Sequence, residues 1–393
     1  MTLIQKTIVF LSNFSLGLFV PVLSLFLLSH GCDLQSLAIV IGIYSATVIF
    51  AEVPSGMFAD VRGRRNAYYL SCALTVAGFI IMYFARGIPL LIPGIILFGM
   101  GRAFASGSLD SLIIEDCLRR NGDAELSKAT GSNLVYQCAG IAAGALAGGF
   151  IPNTNGYLLH VIARLAVLLA VCILCAAFLR EAPSDRKTLR EQVSVTVAQL
   201  NKQRALLIVL LCIFGGGAAL FVLETYWQPL LTTFIPARQQ YLLGIVCAGG
   251  YGANMLGSFI AGRVKMERPK SRWRYYLLFI ASIGVALALL AIQTAAVGFI
   301  ACYLLIYIVL GFANVPEQTL LNSLAGNEMR ASLLSVASLS MQMAGVVSSA
   351  LCALLVLPIG MQGVMLAMGG FSMAVVAAAA ILLKLRSKAG QTD

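Results

Sequence analysis

Residues 56–65 read Gly-Met-Phe-Ala-Asp-Val-Arg-Gly-Arg-Arg and separate two long, predominantly apolar stretches of the chain. The stretches on either side, residues 36–58 and 66–85, each have about the 20 residues that a helix needs to cross the hydrocarbon of a bilayer. Four charged side chains lie together between them. A short charged loop between two apolar stretches of this length predicts a pair of transmembrane helices.

The rest of the chain repeats this pattern. Of its 393 residues, 60% are hydrophobic and 11% are charged, whereas a soluble domain carries about 25% charged residues. Only helices and closed barrels satisfy the backbone in lipid, and barrel strands would alternate apolar and polar residues, which these continuous runs do not. The sequence therefore predicts an all-α integral membrane protein with twelve transmembrane helices. The predicted spans are 5–28, 36–58, 66–85, 89–116, 128–151, 157–179, 205–231, 239–262, 273–291, 296–324, 331–356 and 361–384.

The net charge of +11 is distributed asymmetrically. All Lys and Arg residues except Arg86, Arg102, Arg164 and Arg238 lie at the N-terminus, in alternate loops or in the C-terminal tail. This is the positive-inside pattern, which predicts a multi-pass protein of a cell membrane with both termini in the cytoplasm. We expect a bacterial cytoplasmic membrane. The basic residues form no contiguous patch interleaved with aromatics, so no nucleic-acid partner is expected.

The chain divides into two halves of similar length. We predict a six-helix bundle over residues 1–180, a polar cytoplasmic linker over 181–204 and a second six-helix bundle over 205–393. The halves share weak sequence similarities: Tyr-Tyr-Leu occurs at 68–70 and 275–277, and Pro21 corresponds to Pro229 at nearly the same offset. The two bundles are therefore predicted to be pseudo-symmetric. Parallel repeats of this kind bind substrate where the halves meet, near the bilayer midplane.

The loop at 56–65 strongly resembles the signature G-x-x-x-D-x-x-G-R-[KR] of the major facilitator superfamily. The resemblance implies the major facilitator fold. It also implies that the loop is a gate that locks one conformation of the transporter. The gating residues would be Gly56, Asp60, Arg62, Gly63, Arg64 and Arg65. The alternative is a solvated charged loop that only sets the topology.

The fifth predicted span carries regularly spaced glycines. Their pattern resembles the antiporter signature G-x8-G-x3-G-P-x2-G-G, with Ala145 in place of the proline. The matching residues are Gly131, Gly140, Gly144, Gly148 and Gly149. Glycines at every fourth position leave a smooth helix face for a neighbouring helix, so ordinary small-residue packing is the alternative. With Pro54 before the loop and Arg102 in the fourth span, the chain looks like the drug/metabolite:proton antiporter branch of the superfamily.

Four carboxylic acids lie well inside predicted spans, Glu52, Asp110, Glu224 and Glu317, while Glu115 and Asp116 lie near the end of one. A charge at the centre of a membrane helix costs about 2.5–3.5 kcal/mol on insertion scales, so each acid requires an explanation. Because burial disfavours the anionic form of a carboxyl group, we take all four as candidates for proton coupling. The alternatives are a packing or gating role for Glu52 and a structural ion pair for Asp110.

Other polar and aromatic residues inside the spans are candidates for a substrate cavity. Glu224 lies beside aromatic and amide side chains, a combination that suits organic or cationic ligands. Glu317 belongs to a polar stripe of the tenth span, which lines either a cavity or a helix interface. The cavity candidates are Glu224, Tyr226, Trp227, Gln228, Arg102, Asn314, Gln318, Asn133 and Gln137.

Several functions are not supported by any motif. The sequence contains no G-x-x-x-x-G-K-[ST] phosphate loop, and its two histidines, His30 and His160, lie near the outer ends of spans. We therefore expect no nucleotide, metal or cofactor and no enzymatic activity. The sequence predicts a secondary active transporter that couples protons to the efflux of a small amphipathic organic compound or drug by alternating access. It is expected to work as a monomer in contact with lipid. The alternatives are a metabolite uptake symporter and, more remotely, a receptor or a membrane enzyme.

Overall fold

The structure is a computed structural model that describes residues 1–121, 126–153, 155–179, 181, 204–264, 269–324 and 330–389. In these ranges every regular element is a helix. The α-helices are α1 (Leu3–Gly17), α2 (Leu23–Ser29), α3 (Leu34–Arg62), α4 (Arg64–Phe84), α5 (Ile88–Ala105), α6 (Leu109–Asn121), α7 (Leu126–Phe150), α8 (Leu158–Phe178), α9 (Arg204–Thr232), α10 (Leu242–Gly262), α11 (Pro269–Ala291), α12 (Ala296–Leu324) and α13 (Arg330–Ala389).

The helices correspond to the predicted spans when three breaks are taken into account. The first span is divided into α1 and α2 by turns over residues 18–22, which include Pro21. The fourth span is divided into α5 and α6 by a turn at residues 106–108. Helix α13 covers the last two spans, and it is interrupted at Gly360, where φ is +70°, just after Pro358. The prediction of twelve membrane-spanning helices is confirmed.

Nine helices of the described part of the chain are long and apolar enough to cross a membrane. Helices α5 and α6 count together as one of these, and the long helix α13 counts once although it covers two spans. The remaining spans are the divided first one and helix α7. The protein is therefore a multi-pass membrane protein.

The start of α3 shows how a span is defined by its cap. Asp33 Oδ1 accepts hydrogen bonds from the backbone N–H of Ser36 at 2.7 Å and from the Ser36 hydroxyl at 2.6 Å. These bonds to the carboxylate lower the pKa of Asp33. A side-chain acceptor at this position satisfies an N–H that has no partner within the helix, so the span begins at a defined residue.

The described residues form two units. The first comprises Met1–Leu189 and Ile235–Tyr251, and the second comprises Arg190–Phe234 and Gly252–Asp393. In the first unit, α1 packs on α7 and α8, and α5 packs on α3 and α4. In the second, α9 packs on α11 and α13, and α11 packs on α12. The first unit thus takes in the start of α10 as well as the predicted bundle of residues 1–180.

The glycines of α7 bring two helix backbones into contact. A Cβ atom at Gly140, Gly144 or Gly148 would collide with a backbone carbonyl oxygen of α1, that of Phe10, Phe14 or Leu18 respectively. On another side of α7, Gly149 lies against Gly244 of α10 in the same way. The predicted small-residue face is therefore a packing surface for α1, while its role as an antiporter motif stays a prediction.

Gly144 and Gly131 provide a matched test of this packing. We expect Gly144→Ala to lower the stability of the protein by about 1–3 kcal/mol, because overpacking at a close backbone contact forces the helices apart. Gly131→Ala adds the same methyl group to the same helix where nothing lies within 4 Å, and it should leave stability unchanged or slightly raised. Thermal unfolding of the purified variants in detergent measures both. Equal effects of the two substitutions would contradict close α1–α7 packing.

Candidate functional site

The loop between α3 and α4 consists of one residue, Gly63. It is both the C-cap of α3 and the N-cap of α4, with φ at +90° and ψ at 154°. A side chain is strained in this backbone region, whereas glycine adopts it freely. In addition, a Cβ atom here would collide with the carboxylate of Glu181. The signature glycine is therefore required by the turn, and it also leaves room for the carboxylate of this acid.

Glu181 caps the first turn of α4. Its Oε1 accepts the backbone N–H of Arg64 at 2.6 Å, and its Oε2 accepts that of Arg65 at 3.1 Å. The Arg65 guanidinium donates to the carbonyl of Leu179 at 3.3 Å. A carboxylate at a helix N-terminus satisfies unpaired amides and interacts favourably with the helix dipole. The two signature arginines are thus joined through their own backbone to the end of α8.

The Arg64 side chain reaches α6. Its guanidinium forms an ion pair with the Glu115 carboxylate at 2.8 Å, and both side chains are partly exposed. The next residue, Asp116, is buried; it accepts a hydrogen bond from Gln5 at 2.7 Å and pairs with Arg119 and Arg120. Hydrogen bonds and ion pairs therefore connect the signature loop to α6, and α6 to α1.

The other charged residues of the signature are placed differently. Asp60 is half-buried and Arg62 is exposed. Neither side chain forms an ion pair with any residue that the structure describes. Of the predicted gating cluster, the structure thus brings Gly63, Arg64 and Arg65 together around Glu181. Whether the cluster acts as a gate stays a prediction.

A cavity of about 120 Å³ lies within the first unit, among α1, α4, α5, α6 and α8. Arg102 and Asp110 line it, together with Arg164 of α8. Asp110 lies in the first turn of α6 and accepts a hydrogen bond from Asn133 at 3.1 Å. Three residues that the sequence proposed separately are therefore neighbours: Arg102, Asp110 and Asn133. Gln137 lies one turn beyond Asn133 on α7 and is half-buried.

Glu52 lies on α3 near this cavity and is half-buried. Arg102 is close enough to interact with it electrostatically, although the two form no ion pair within the described ranges. The Tyr44 hydroxyl also lies near the Arg102 guanidinium. Glu52 thus lies within electrostatic range of Arg102 in the first unit.

In the second unit, two carboxyl groups are held by tyrosines. Glu224 of α9 accepts a hydrogen bond from the Tyr307 hydroxyl of α12. Glu317 of α12 accepts one from Tyr276 of α11 at 2.8 Å. Both tyrosines are buried, and neither acid forms an ion pair with any described residue. The sequence predicted the acids but not their partners, because no short-range pattern relates residues so far apart in the chain.

The residues beside Glu224 belong to the interior of the second unit. Tyr226 and Trp227 are fully buried, and Gln228 is 2% exposed. The Trp227 ring packs on Tyr303 with centroids 4.9 Å apart, and its indole N–H lies near Glu224 without a hydrogen bond of normal geometry. No ring face of Trp227 is open in this structure. The predicted contact with substrate therefore requires a rearrangement and stays a prediction.

The polar stripe of α12 extends beyond Glu317. Asn314 donates to Asn254 of α10 at 3.5 Å, which is a helix-interface contact. Gln318 is exposed. The stripe thus has one residue in a helix interface and one on the surface of the unit, and its role as a cavity lining stays a prediction.

Comparison with known proteins identifies the family. The sequence profile described as Major Facilitator Superfamily matches residues 7–349. The chain belongs to this superfamily. Its members are membrane transporters that bind small-molecule substrates.

One curated relative is an uncharacterized MFS-type transporter, YxaM, of Bacillus subtilis (strain 168). It is 24% identical over 256 residues, which are 63% of this chain and 62% of the relative. The match thus spans somewhat less than two thirds of that relative's length. It agrees with the superfamily assignment and carries no substrate information.

Solved structures of the superfamily share the fold over nearly the whole chain. A mutant of the nucleoside transporter NupG superposes with a TM-score of 0.81 at 13% identity, covering 97% of this chain and 99% of NupG. A bacterial homologue of the human lysosomal transporter Spinster superposes with a TM-score of 0.76 at 14% identity, covering 97% and 96%. At these identities the similarity establishes the major facilitator fold alone.

The two acids that contact the signature arginines are expected to differ in their contribution to stability. Glu181→Gln should lower the stability of this major facilitator protein by about 0.5–2 kcal/mol. The neutral amide of glutamine accepts the backbone N–H groups of α4 more weakly than the carboxylate does. Glu115→Gln breaks a partly exposed ion pair, for which about 0–1 kcal/mol is typical. Thermal unfolding of both variants provides the comparison. A larger loss for Glu115→Gln would contradict the capping role of Glu181.

Proposed function

We propose that this protein is a secondary active transporter that exports a small amphipathic organic compound in exchange for protons, by alternating access. The observation that carries the proposal is the pair of tyrosine-held carboxyl groups, Glu224 and Glu317, within the membrane-spanning helices of the second unit. The superfamily assignment supports transport in general. Proton coupling and export are our inference from these acids and from the α7 glycines.

The physical argument concerns the charge of these two acids. An isolated carboxylate is unfavourable inside the bilayer, by about 2.5–3.5 kcal/mol on insertion scales, and no cation pairs with either acid in the described ranges. A tyrosine hydroxyl supplies one hydrogen bond but no compensating charge. Each acid can therefore hold a proton while it is enclosed and release it when a conformational change admits water. Such a cycle couples proton movement to transport.

The remaining elements of the proposal follow from the sequence. We propose that both termini lie in the cytoplasm of a bacterial cell, because Lys and Arg are concentrated in alternate loops. The signature loop would then lie at the cytoplasmic end of the first unit. Its contacts through Glu181 and Glu115 support a role in stabilising one conformation. We further propose that the protein works as a monomer.

A second candidate is an uptake symporter for a metabolite. The observation that favours it is Ala145, which is buried in an uninterrupted α7 where the antiporter signature has proline. NupG, which shares the fold, is a nucleoside transporter, so nucleosides belong in any substrate screen. The direction of proton movement distinguishes the two candidates.

Proton exchange can be measured in everted membrane vesicles from cells that produce the protein. Respiration acidifies the vesicle interior and quenches acridine orange, and a panel of amphipathic amines, amphipathic acids and nucleosides is then added. We expect at least one compound to restore fluorescence, because an exporter releases interior protons in exchange for it. Glu224→Gln and Glu317→Gln should abolish or strongly reduce this recovery.

Asp33→Asn is the matched control for these substitutions. It makes the same acid-to-amide change outside the spans and keeps a good helix cap, so it should behave as the wild type. Substrate-driven proton uptake into right-side-out vesicles, without recovery in everted ones, would favour the symporter. Normal exchange by both glutamine variants would contradict coupling through these acids.

The gate is tested with any compound that gives a signal in that assay. Asp60→Asn and Arg64→Ala should reduce the rate of exchange while the amount of protein in the membrane is unchanged, because Asp60 and Arg64 are partly exposed and contribute little to stability. Arg86→Ala, at an exposed position outside the signature, should retain the wild-type rate. Wild-type exchange rates for both signature variants would show that the loop only sets topology.

A further inference from the structure

Arg164 is a buried cation. The residue is 5% exposed and lies on α8, in the interior of the first unit. Its Nε–H is buried and has no hydrogen-bond partner among the described residues. Its guanidinium forms no ion pair with a carboxylate in the part of the chain that the structure describes. The sequence placed it in an apolar run but assigned it no role.

Three phenylalanine rings surround the guanidinium. The Arg164 Cζ atom lies 4.3 Å from the ring centroid of Phe79, 5.3 Å from that of Phe98 and 5.6 Å from that of Phe19. Cation–π contacts attract a guanidinium, but each is weaker than the cost of removing the ion from water. The rings offset part of that cost. They contact the guanidinium without accepting its N–H groups in hydrogen bonds, so its donor capacity is largely unused.

The cavity of the first unit is where an acceptor can reach those donors. Arg164 and Arg102 both line it, and the Tyr44 hydroxyl lies near both guanidinium groups. Asp110 lines the cavity too, but its described hydrogen bond is to Asn133 and it pairs with neither arginine. The charged residues that line the cavity are two arginines and one aspartate, and Glu52, which lies outside the lining, interacts with Arg102; Arg164 is thus the cation of the cavity with no carboxylate facing it among the described residues. An anion entering it would gain charge-assisted hydrogen bonds.

The size of the cavity limits what it can hold. Its volume is about 120 Å³, whereas drug-sized ligands need about 300–1,000 Å³. A carboxylate with its first carbon atoms fits this space, and a whole amphipathic molecule does not. The planar fork of a guanidinium matches the two oxygens of a carboxylate.

We infer that the transported compound is an amphipathic organic acid whose carboxylate binds in the first-unit cavity to Arg164, with Arg102 as a second donor. This inference rests on the proposed transport function and specifies its substrate class. It also gives the buried guanidinium an anionic partner, which none of the described residues provides. The site recognises the acidic head of the compound, and the apolar remainder lies outside the cavity.

The test is equilibrium binding to purified wild-type protein, measured by ligand-induced thermal stabilisation. The probes are matched pairs of an acid and its neutral amide, benzoate with benzamide and octanoate with octanamide. We expect the carboxylates to stabilise the protein and the amides to do so weakly or not at all. Arg164→Gln should weaken carboxylate binding by about ten- to hundredfold, the effect of losing a charge-assisted hydrogen bond.

Arg86→Gln is the matched control, because it removes the same charge from an exposed position of the same unit. It should bind carboxylates as the wild type does. If Arg164→Gln does not fold, Arg164→Lys replaces it: the ammonium group keeps the charge but lacks the fork, and we expect about tenfold weaker binding.

Three results would overturn the inference: equal stabilisation by acids and amides, unchanged carboxylate binding in the folded Arg164 variant, or stabilisation by chloride and phosphate without any by the organic acids. Because binding is measured without a proton gradient, its outcome is independent of the proton-exchange assay. A protein that binds carboxylates through Arg164 but exchanges no protons would uphold this site and refute the proposed coupling.

Discussion

The structure depends on one constraint: inside the hydrocarbon there is no water to hydrogen-bond a polar group, so the protein must supply each partner itself. Helices satisfy this constraint for the backbone, which is why every described regular element is helical. Some side chains satisfy it within their own helix, as Asn13 does by donating to the Val9 carbonyl, and others use a partner on another helix. Glu224 and Glu317 are bound by tyrosines in the second way. These two contacts join α12 to α9 and to α11.

The polar side chains inside the two units differ in charge. The first unit has a cavity with two arginines and one aspartate, and the second has two acids that are held only by neutral hydroxyl groups among the described residues. A division of this kind suits a transporter in which one half recognises an anionic group and the other carries protons. The weak sequence similarities between the halves concern turns and helix starts. They do not extend to these polar groups.

The sequence predicted what depends on local patterns. Apolar length predicted the twelve spans, the spacing of Gly140, Gly144 and Gly148 predicted a packing face, and residues 56–65 predicted the superfamily. It did not predict Glu181 as the cap of α4, Tyr276 as the partner of Glu317, or the three rings around Arg164. Each of these pairs residues that are distant in the chain, and helix periodicity holds no information about such pairs. The breaks within the first and fourth spans were also missed, because each lies inside a stretch whose length and hydrophobicity suit one spanning helix, whereas the break at Gly360 falls between the last two predicted spans.

The contact between Gly63 and Glu181 has an evolutionary consequence. A Cβ atom at position 63 would crowd the Glu181 carboxylate, which accepts amide protons that a shorter side chain at position 181 could not reach. The two positions are thus under a joint steric and hydrogen-bonding restriction, although 118 positions separate them in the chain (181 − 63). Substitutions at them should be correlated among relatives of this protein. A lineage that loses the glycine should lose the acid as well and acquire a new cap for α4 within the loop itself.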